Sequence, residues 1–303
     1  MTLRPIAQTM IGQPTIEGAG VKLDRLFGFG DSSLTDPFLL MDHFGSDNPA
    51  DFQKGFPWHP HRGIETITYV LDGEVEHQDS LGNTGVLGAG SVQWMTAGSG
   101  IMHQEMPRGN AAGAMHGFQL WANLPAHLKM TDPRYQDIGA ADLPIEGEED
   151  GSTAKIITGE FWGKTGPVDG VAANPLIVDI SIPAGRHKVI PVDTRANAMA
   201  YVFAGSGSFA NASAPVGIQV EKEFNGQELS FQDLTGERTL VRFDAGDEIS
   251  VQAGPEGMRF LLITGRPIRE PVAWHGPIVM NSKAELMQAI KELRQGTFIK
   301  DTR

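Results

Sequence analysis

Apolar and polar positions change over in short bursts along this chain. β-Branched and aromatic residues gather at Thr66–Leu71, Ser91–Thr96, Gly117–Asn123, Leu176–Ile182, Ala200–Phe203, Thr239–Phe243 and Arg259–Thr264, with glycines and prolines between the runs. Many short strands separated by turn signals predict an all-β sandwich or barrel. One stretch departs from this pattern. After Asn281, Ser282 to Glu285 has the spacing of a capping box. Leu286, Ile290 and Leu293 then form an apolar stripe that stops at Gly296, which predicts a C-terminal α-helix packed on a sheet. The least strand-like interior stretch runs from Pro125 to about Ser152 and holds the acidic cluster Glu146, Glu148, Glu149 and Asp150. A domain boundary there divides the chain into 1–135 and 136–303.

The two halves read as copies of one unit. Gly90 to Gly98 and Gly246 to Gly254 span the same interval, and each is preceded by Ala and ends in Ala-Gly. Upstream, Tyr69-Val-Leu-Asp-Gly73 matches Tyr201-Val-Phe-Ala-Gly205. Two tandem small barrels summarise this organisation.

Composition narrows the chemistry. The 303 residues are 40% hydrophobic and 20% charged, an ordinary globular mix. Acidic residues number 37 against 24 basic ones, for a net charge of -13. With no concentrated basic patch, that charge repels phosphate backbones, and direct nucleic-acid binding is not expected. No run reaches the ~18 to 20 consecutive apolar residues of a membrane-spanning helix. Met1 to Met10 lacks both a basic stretch leading an apolar core and a small-residue cleavage site, so a cytoplasmic protein is expected. The chain has no cysteine, which removes disulfides, thiolate catalysis and iron–sulfur clusters. Any metal must therefore be held by His, Asp or Glu. Gly28-Phe-Gly30 lacks the continuation of a dinucleotide loop, and no nucleophile elbow with a triad is present.

His59-Pro60-His61 is the first feature with chemical content. Residues i and i+2 of an extended segment project to one face, so the two imidazoles can stand side by side. Pro60 cannot donate to a sheet ladder and restricts the segment to a strand start or a barrel rim. His103-Gln104-Glu105 repeats the geometry with an imidazole and a carboxylate, after the bend Ala97 to Gly100. Three histidines and a carboxylate suit iron(II), manganese, nickel, copper or zinc, and with open positions left for other ligands they match non-haem iron oxygen chemistry. Glu65 also lies at an even offset from His61, so alternation alone does not choose between Glu65 and Glu105.

Gly55-x3-His59-x-His61-x3-Glu65-x7-Gly73, followed by Gly90-x7-Gly98-x4-His103, resembles the two-part signature of cupins. More specifically, the segments 36–44, 56–66 (FPWHPHRGIET), 93–107 (QWMTAGSGIMHQEMP), 119–124 and 269–281 resemble the pirin family. The resemblance implies two tandem antiparallel cupin barrels, jelly-roll-like, the first holding one divalent metal on His59, His61, His103 and Glu105. Iron(II) is the first choice, with manganese, nickel, copper and zinc as alternatives. Glu65 is then expected to pair with Arg62 or to support the ligands from behind. The implied activity is that of a quercetin 2,3-dioxygenase, an oxidoreductase that opens the heterocycle of a flavonol with O2. In that chemistry Glu105 is the catalytic proton acceptor, and the ligands are a planar polyphenol and O2. The family also suggests an alternative: a non-enzymatic, metal-loaded redox sensor or transcription co-regulator that binds a protein partner. A third reading is Lewis-acid isomerisation or hydrolysis of a small oxygenated metabolite. A monomer is the working expectation.

Aligning the repeat puts Pro191 and Asp193 opposite His59 and His61, and Arg259 and Leu261 opposite His103 and Glu105. A proline, a cation and a leucine do not bind a divalent metal, so the second barrel is expected to be metal-free, with His187 and His275 ordinary histidines. His77 is expected at the surface, and His116 in the core or at a rim. His43 is expected near a pocket mouth without a role. Met95, Met102, Met106 and Met115 are expected either to line the site or to fill the core.

Overall fold

The computed structural model describes residues 2–210, 222–224, 227–229 and 234–300. The chain is mostly antiparallel sheet with few helices, as the strand pattern predicts. It forms two compact units. One comprises Gly12–Pro144, Ile157–Pro175 and Gly265–Arg303, and the other Met1–Ile11, Ile145–Ile156 and Leu176–Thr264.

The first unit contains a seven-stranded and a four-stranded sheet. Across the larger sheet the order is Arg134–Ile138, Val92–Thr96, Ile64–Asp72, Met115–Asn123, Phe38–Ser46, Val21–Phe27 and Gln13–Glu17. The smaller runs Phe56–His61, Ile101–Arg108, Glu74–Asp79, Thr84–Leu87. Val21, Val70 and Met115 of the larger sheet meet Val75 and Leu87 of the smaller in one buried cluster, which fastens the two layers together. The central strand Ile64–Asp72 is buried from Ile64 to Val70, which accounts for the continuous run Thr66–Leu71 in the sequence. A second cluster of Leu39, Ile64, Met95, Ala97, Ile101 and Val279 fills the other end.

The second unit is built on one eight-stranded sheet that includes Leu176–Ile182, Asn197–Phe209, Thr239–Phe243 and Glu248–Gly265. Tyr69 and Tyr201, matched by the internal repeat, are both buried, and the matched Gly73 and Gly205 both adopt left-handed φ, of 79° and 68°. The sequence repeat thus coincides with a repeat of backbone conformation.

The contiguous division into 1–135 and 136–303 differs from these units. Ile6–Ile11 pairs with Thr239–Phe243 inside the second unit, and the chain after Thr264 belongs to the histidine-bearing one. The stretch from Pro125 to Ser152, the least strand-like in the sequence, includes the strands Arg134–Ile138 and Ile145–Gly147. The terminal helix is Lys283–Gln295, capped by Ser282 with the reciprocal Glu285 bond and closed by Gly296 in the left-handed conformation. It packs on a two-stranded hairpin, Ala273–His275 and Ile278–Met280, rather than on a large sheet. Ala289 meets Ile278, Met280 and Phe298 there. Among the described residues no helix is long and apolar enough to cross a membrane.

Candidate metal centre

Phe56–His61 lies at the edge of the four-stranded sheet, paired on one side with Ile101–Arg108. An edge tolerates Pro57 and Pro60, which have no N–H to offer a second neighbour. The register sets His103 opposite His59 and Ile101 opposite His61. Gly98, with φ of 48°, turns the chain into Ile101–Arg108, and a Cβ there would stand 2.2 Å from the Thr131 carbonyl oxygen.

Alternation and register together gather three imidazoles whose ligand atoms all lie within 4.8 Å of one another. His59 Nδ1 donates to the Pro57 carbonyl oxygen at 2.9 Å, which leaves the lone pair on Nε2. That Nε2 stands 3.1 Å from His61 Nε2. His61 and His103 are buried, and desolvation, followed by repulsion from the neighbouring imidazoles, holds both well below the usual histidine pKa. Both rings are therefore neutral near pH 7 and keep their lone pairs. Neither ring nitrogen of the fully buried His103 has a hydrogen-bond partner. Such an orphan costs ~1 to 3 kcal/mol unless something coordinates it. These residues fit a divalent ion.

Glu105 follows His103 on the same inward face, after a bulge that sets it opposite Phe56. Thr68 Oγ1 donates to Glu105 Oε1 at 3.0 Å and lies 2.8 Å from the Gln119 carboxamide. Glu105 stands outside the tight group of imidazoles but shares a cavity of about 610 Å3 with His59 and His61. Phe29, Phe44, Phe56, Trp121 and Trp274 supply flat apolar walls, and the Trp121 ring meets His61 edge-on at 5.1 Å.

Other expectations fare unevenly. Glu65 is buried and accepts a hydrogen bond from Thr96 Oγ1 at 2.8 Å, with its pKa raised by desolvation against that bond. Its expected pairing with Arg62 is replaced, because Arg62 donates to Glu292 Oε2 at 2.8 Å and to the Phe298 carbonyl oxygen at 2.7 Å. His77 is buried rather than exposed. It stacks on Tyr135 at 4.7 Å, lies 3.3 Å from Asp79 Oδ2 and stands behind His103. His116 sits at a rim beside Asp47, and His43 packs on Phe118. Met95 and Met115 belong to the core clusters, and none of the four methionines lines the cavity. In the second unit Pro191 ends a strand opposite Glu248, and Arg259 forms a two-bond pair with Asp179 at 2.9 and 2.6 Å. His187 Nε2 lies 2.7 Å from Ser250 Oγ, and His275 sits in the hairpin.

Comparison with known proteins bears on this site. The Pirin family model matches residues 20–122, and a model described as the pirin C-terminal cupin domain matches 177–299. A pirin-like protein of Caulobacter vibrioides is 42% identical over 98% of this chain and 100% of its own length. The chain belongs to the pirin family. A crystal structure described as quercetin 2,3-dioxygenase from Acinetobacter baumannii superposes with a TM-score of 0.83, at 31% identity over 98% of each chain. A bacterial pirin from Escherichia coli in complex with nickel(II) has a TM-score of 0.62 over 86% of this chain and 99% of its own. At 19% identity it speaks to the fold alone. This pirin therefore comprises two cupin domains with a C-terminal helix, and the histidine cluster lies in the unit that contains the first family match.

Proposed function

We propose that this pirin is a metal-dependent dioxygenase that opens the heterocyclic ring of a flavonol such as quercetin with O2. The observation that carries the reading is the packing of three imidazoles, the buried His61 and His103 held neutral, with His59 and His61 in the wall of an aromatic cavity of about 610 Å3. That volume suits a small planar molecule, and its concave apolar lining favours a small-molecule substrate over a protein partner. His59, His61 and His103 would hold one divalent ion, iron(II) first, with Glu105 as the fourth ligand. The ion, when bound, supplies Lewis acidity toward the 3-hydroxy-4-keto unit and a redox-active centre for O2.

The remaining work falls to side chains of this chain. Trp121, Trp274 and the phenylalanines bury the rings and exclude water. Thr68 holds Oε1 of Glu105, which leaves Oε2 to accept the proton of the flavonol 3-hydroxyl when the carboxylate is not bound to the ion. That transfer leaves an electron-rich flavonolate against the aromatic wall. Oxygen uptake by iron(II)-reconstituted protein on addition of quercetin tests the proposal, with His61→Ala as the blank. Uptake that needs both metal and flavonol is the expected result, and equal uptake by the variant contradicts it.

A further inference from the structure

The cavity has a polar wall that the chemistry at the histidines does not use. Register pairing lines up Thr68, Gln119, Asp42 and Arg25 as one row across four neighbouring strands of the large sheet. Paired residues of an antiparallel sheet project to the same side, so the row shares a face. Gln119, Asp42 and Arg25 line the cavity, and Thr68 touches Glu105 at the row's other end. With neighbouring strands ~4.8 Å apart, the row from Thr68 to Arg25 covers roughly 14 Å. Glu105 therefore closes one end of the stripe and a charge cluster closes the other.

That cluster is asymmetric. Arg25 grips the buried Asp42 with two bonds, Nε to Oδ1 at 2.8 Å and Nη2 to Oδ2 at 2.7 Å. Its Nη1 reaches Glu17 Oε1 at 2.8 Å. The Asp42 pair is sealed in the wall, whereas the Glu17 side chain is 42% exposed and lines the cavity. Among the charged residues that line the cavity are three carboxyl groups, Glu17, Asp42 and Glu105, against the single guanidinium of Arg25. With Glu105 committed to the ion, the end bearing Glu17 and Asp42 against Arg25 keeps a net negative charge, which repels a carboxylate or phosphate there and favours a neutral ligand that donates hydrogen bonds.

The geometry points to Glu17, held by Arg25, as a recognition site for hydroxyl groups on the ring of an aromatic substrate that lies at the Arg25 end of the cavity. This rests on the flavonol reading and narrows it to flavonols with a hydroxylated pendant ring. Asp42 fixes the guanidinium, Arg25 orients the Glu17 carboxylate, and that carboxylate accepts from the phenolic O–H. Phe29, Phe44 and Trp274 flank the ring itself.

The test is ligand binding without turnover. Metal-loaded protein is titrated without oxygen, following quenching of tryptophan fluorescence, since Trp121 and Trp274 line the cavity. The ligands are quercetin and the flavonol that lacks both pendant-ring hydroxyls, against wild type and Glu17→Gln. A hydrogen bond to a charged group is worth about tenfold or more in affinity. The preference of wild type for quercetin should therefore fall by about that factor in Glu17→Gln. An unchanged preference overturns the recognition site and leaves the flavonol reading standing. Absence of quenching of the wild type by both flavonols overturns the recognition site and the flavonol reading together. Binding with the expected preference but no oxygen uptake retains the recognition site and removes only catalysis.

Discussion

His103 is the side chain on which the proposed centre depends most. It is fully buried, faces both other imidazoles and has no hydrogen bond of its own. Losing a supporting partner of a ligand typically costs 10 to 100-fold in metal affinity, so loss of the ligand itself in His103→Ala should exceed about 100-fold. Anaerobic iron(II) titration checks this, and near-normal affinity would remove His103 from the centre. Lys129 makes a second residue-scale case. Its buried ammonium donates to the carbonyls of Gly63 and Val279 and to Asn123 Oδ1, and desolvation pulls its pKa down to about 7. The unfolded chain therefore binds more protons than the folded one between pH 7 and about 10. Wild-type stability should rise over that window relative to Lys129→Met, by at most ~1.4 kcal/mol per pH unit. Urea unfolding across the window measures it, and a flat difference contradicts it. Spacing alone made His59, His61 and His103 legible. Lys129 was not, since Gly63 and Val279 reach it from segments remote in sequence, and Arg25 was not, since its carboxylate partners are set by the pairing of neighbouring strands. His77 could have been placed: it shares the strand face of Val75, which is buried, and polar neighbours in the sequence concealed an inward face that is itself polar.

At the scale of elements, the ligand strand is held from behind. Arg62 and Gly63 follow His61 directly, and Val279 N–H donates to the Arg62 carbonyl at 3.0 Å. Gly63 has φ of 77°, and a Cβ there would lie 2.0 Å from the Val279 carbonyl oxygen. Gly63→Ala should therefore cost more than the ~1 to 3 kcal/mol of left-handed strain alone, and should lower metal affinity as the strand shifts. Denaturant unfolding and metal titration of the same variant test both halves. The cap of the terminal helix is an easier case. Ser282 and Glu285 stand where the capping box in the sequence placed them, so Ser282→Ala should cost about 1 kcal/mol without altering the centre. That the sheet under the helix would be a two-stranded hairpin was not legible, and of the apolar stripe Leu286 joins Ala289 in the contact while Leu293 is 37% exposed.

At the scale of the molecule, the repeat and the all-β pattern were readable because each strand carries its own periodicity. The division into units was not, because it depends on pairings such as Ile6–Ile11 with Thr239–Phe243, which leave no local mark. His61 and His103 give the metal-free protein a pH signature. Both stay neutral when folded and take up protons when unfolded, so stability should fall as pH drops below about 6.5. A bound ion at 100 times its Kd should add about 2.7 kcal/mol at neutral pH. Thermal melts with and without metal from pH 5 to 8 test both, and a metal-free protein indifferent to pH would contradict the first. The proposed reaction at the histidines is a dioxygenation. Its most direct test is mass analysis of the quercetin product formed under 18O2 by iron(II)-loaded protein. Both atoms of one O2 should appear in the products, and His61→Ala should form none. Consumption of quercetin without 18O in its products, or labelled products from His61→Ala at the wild-type rate, would contradict it.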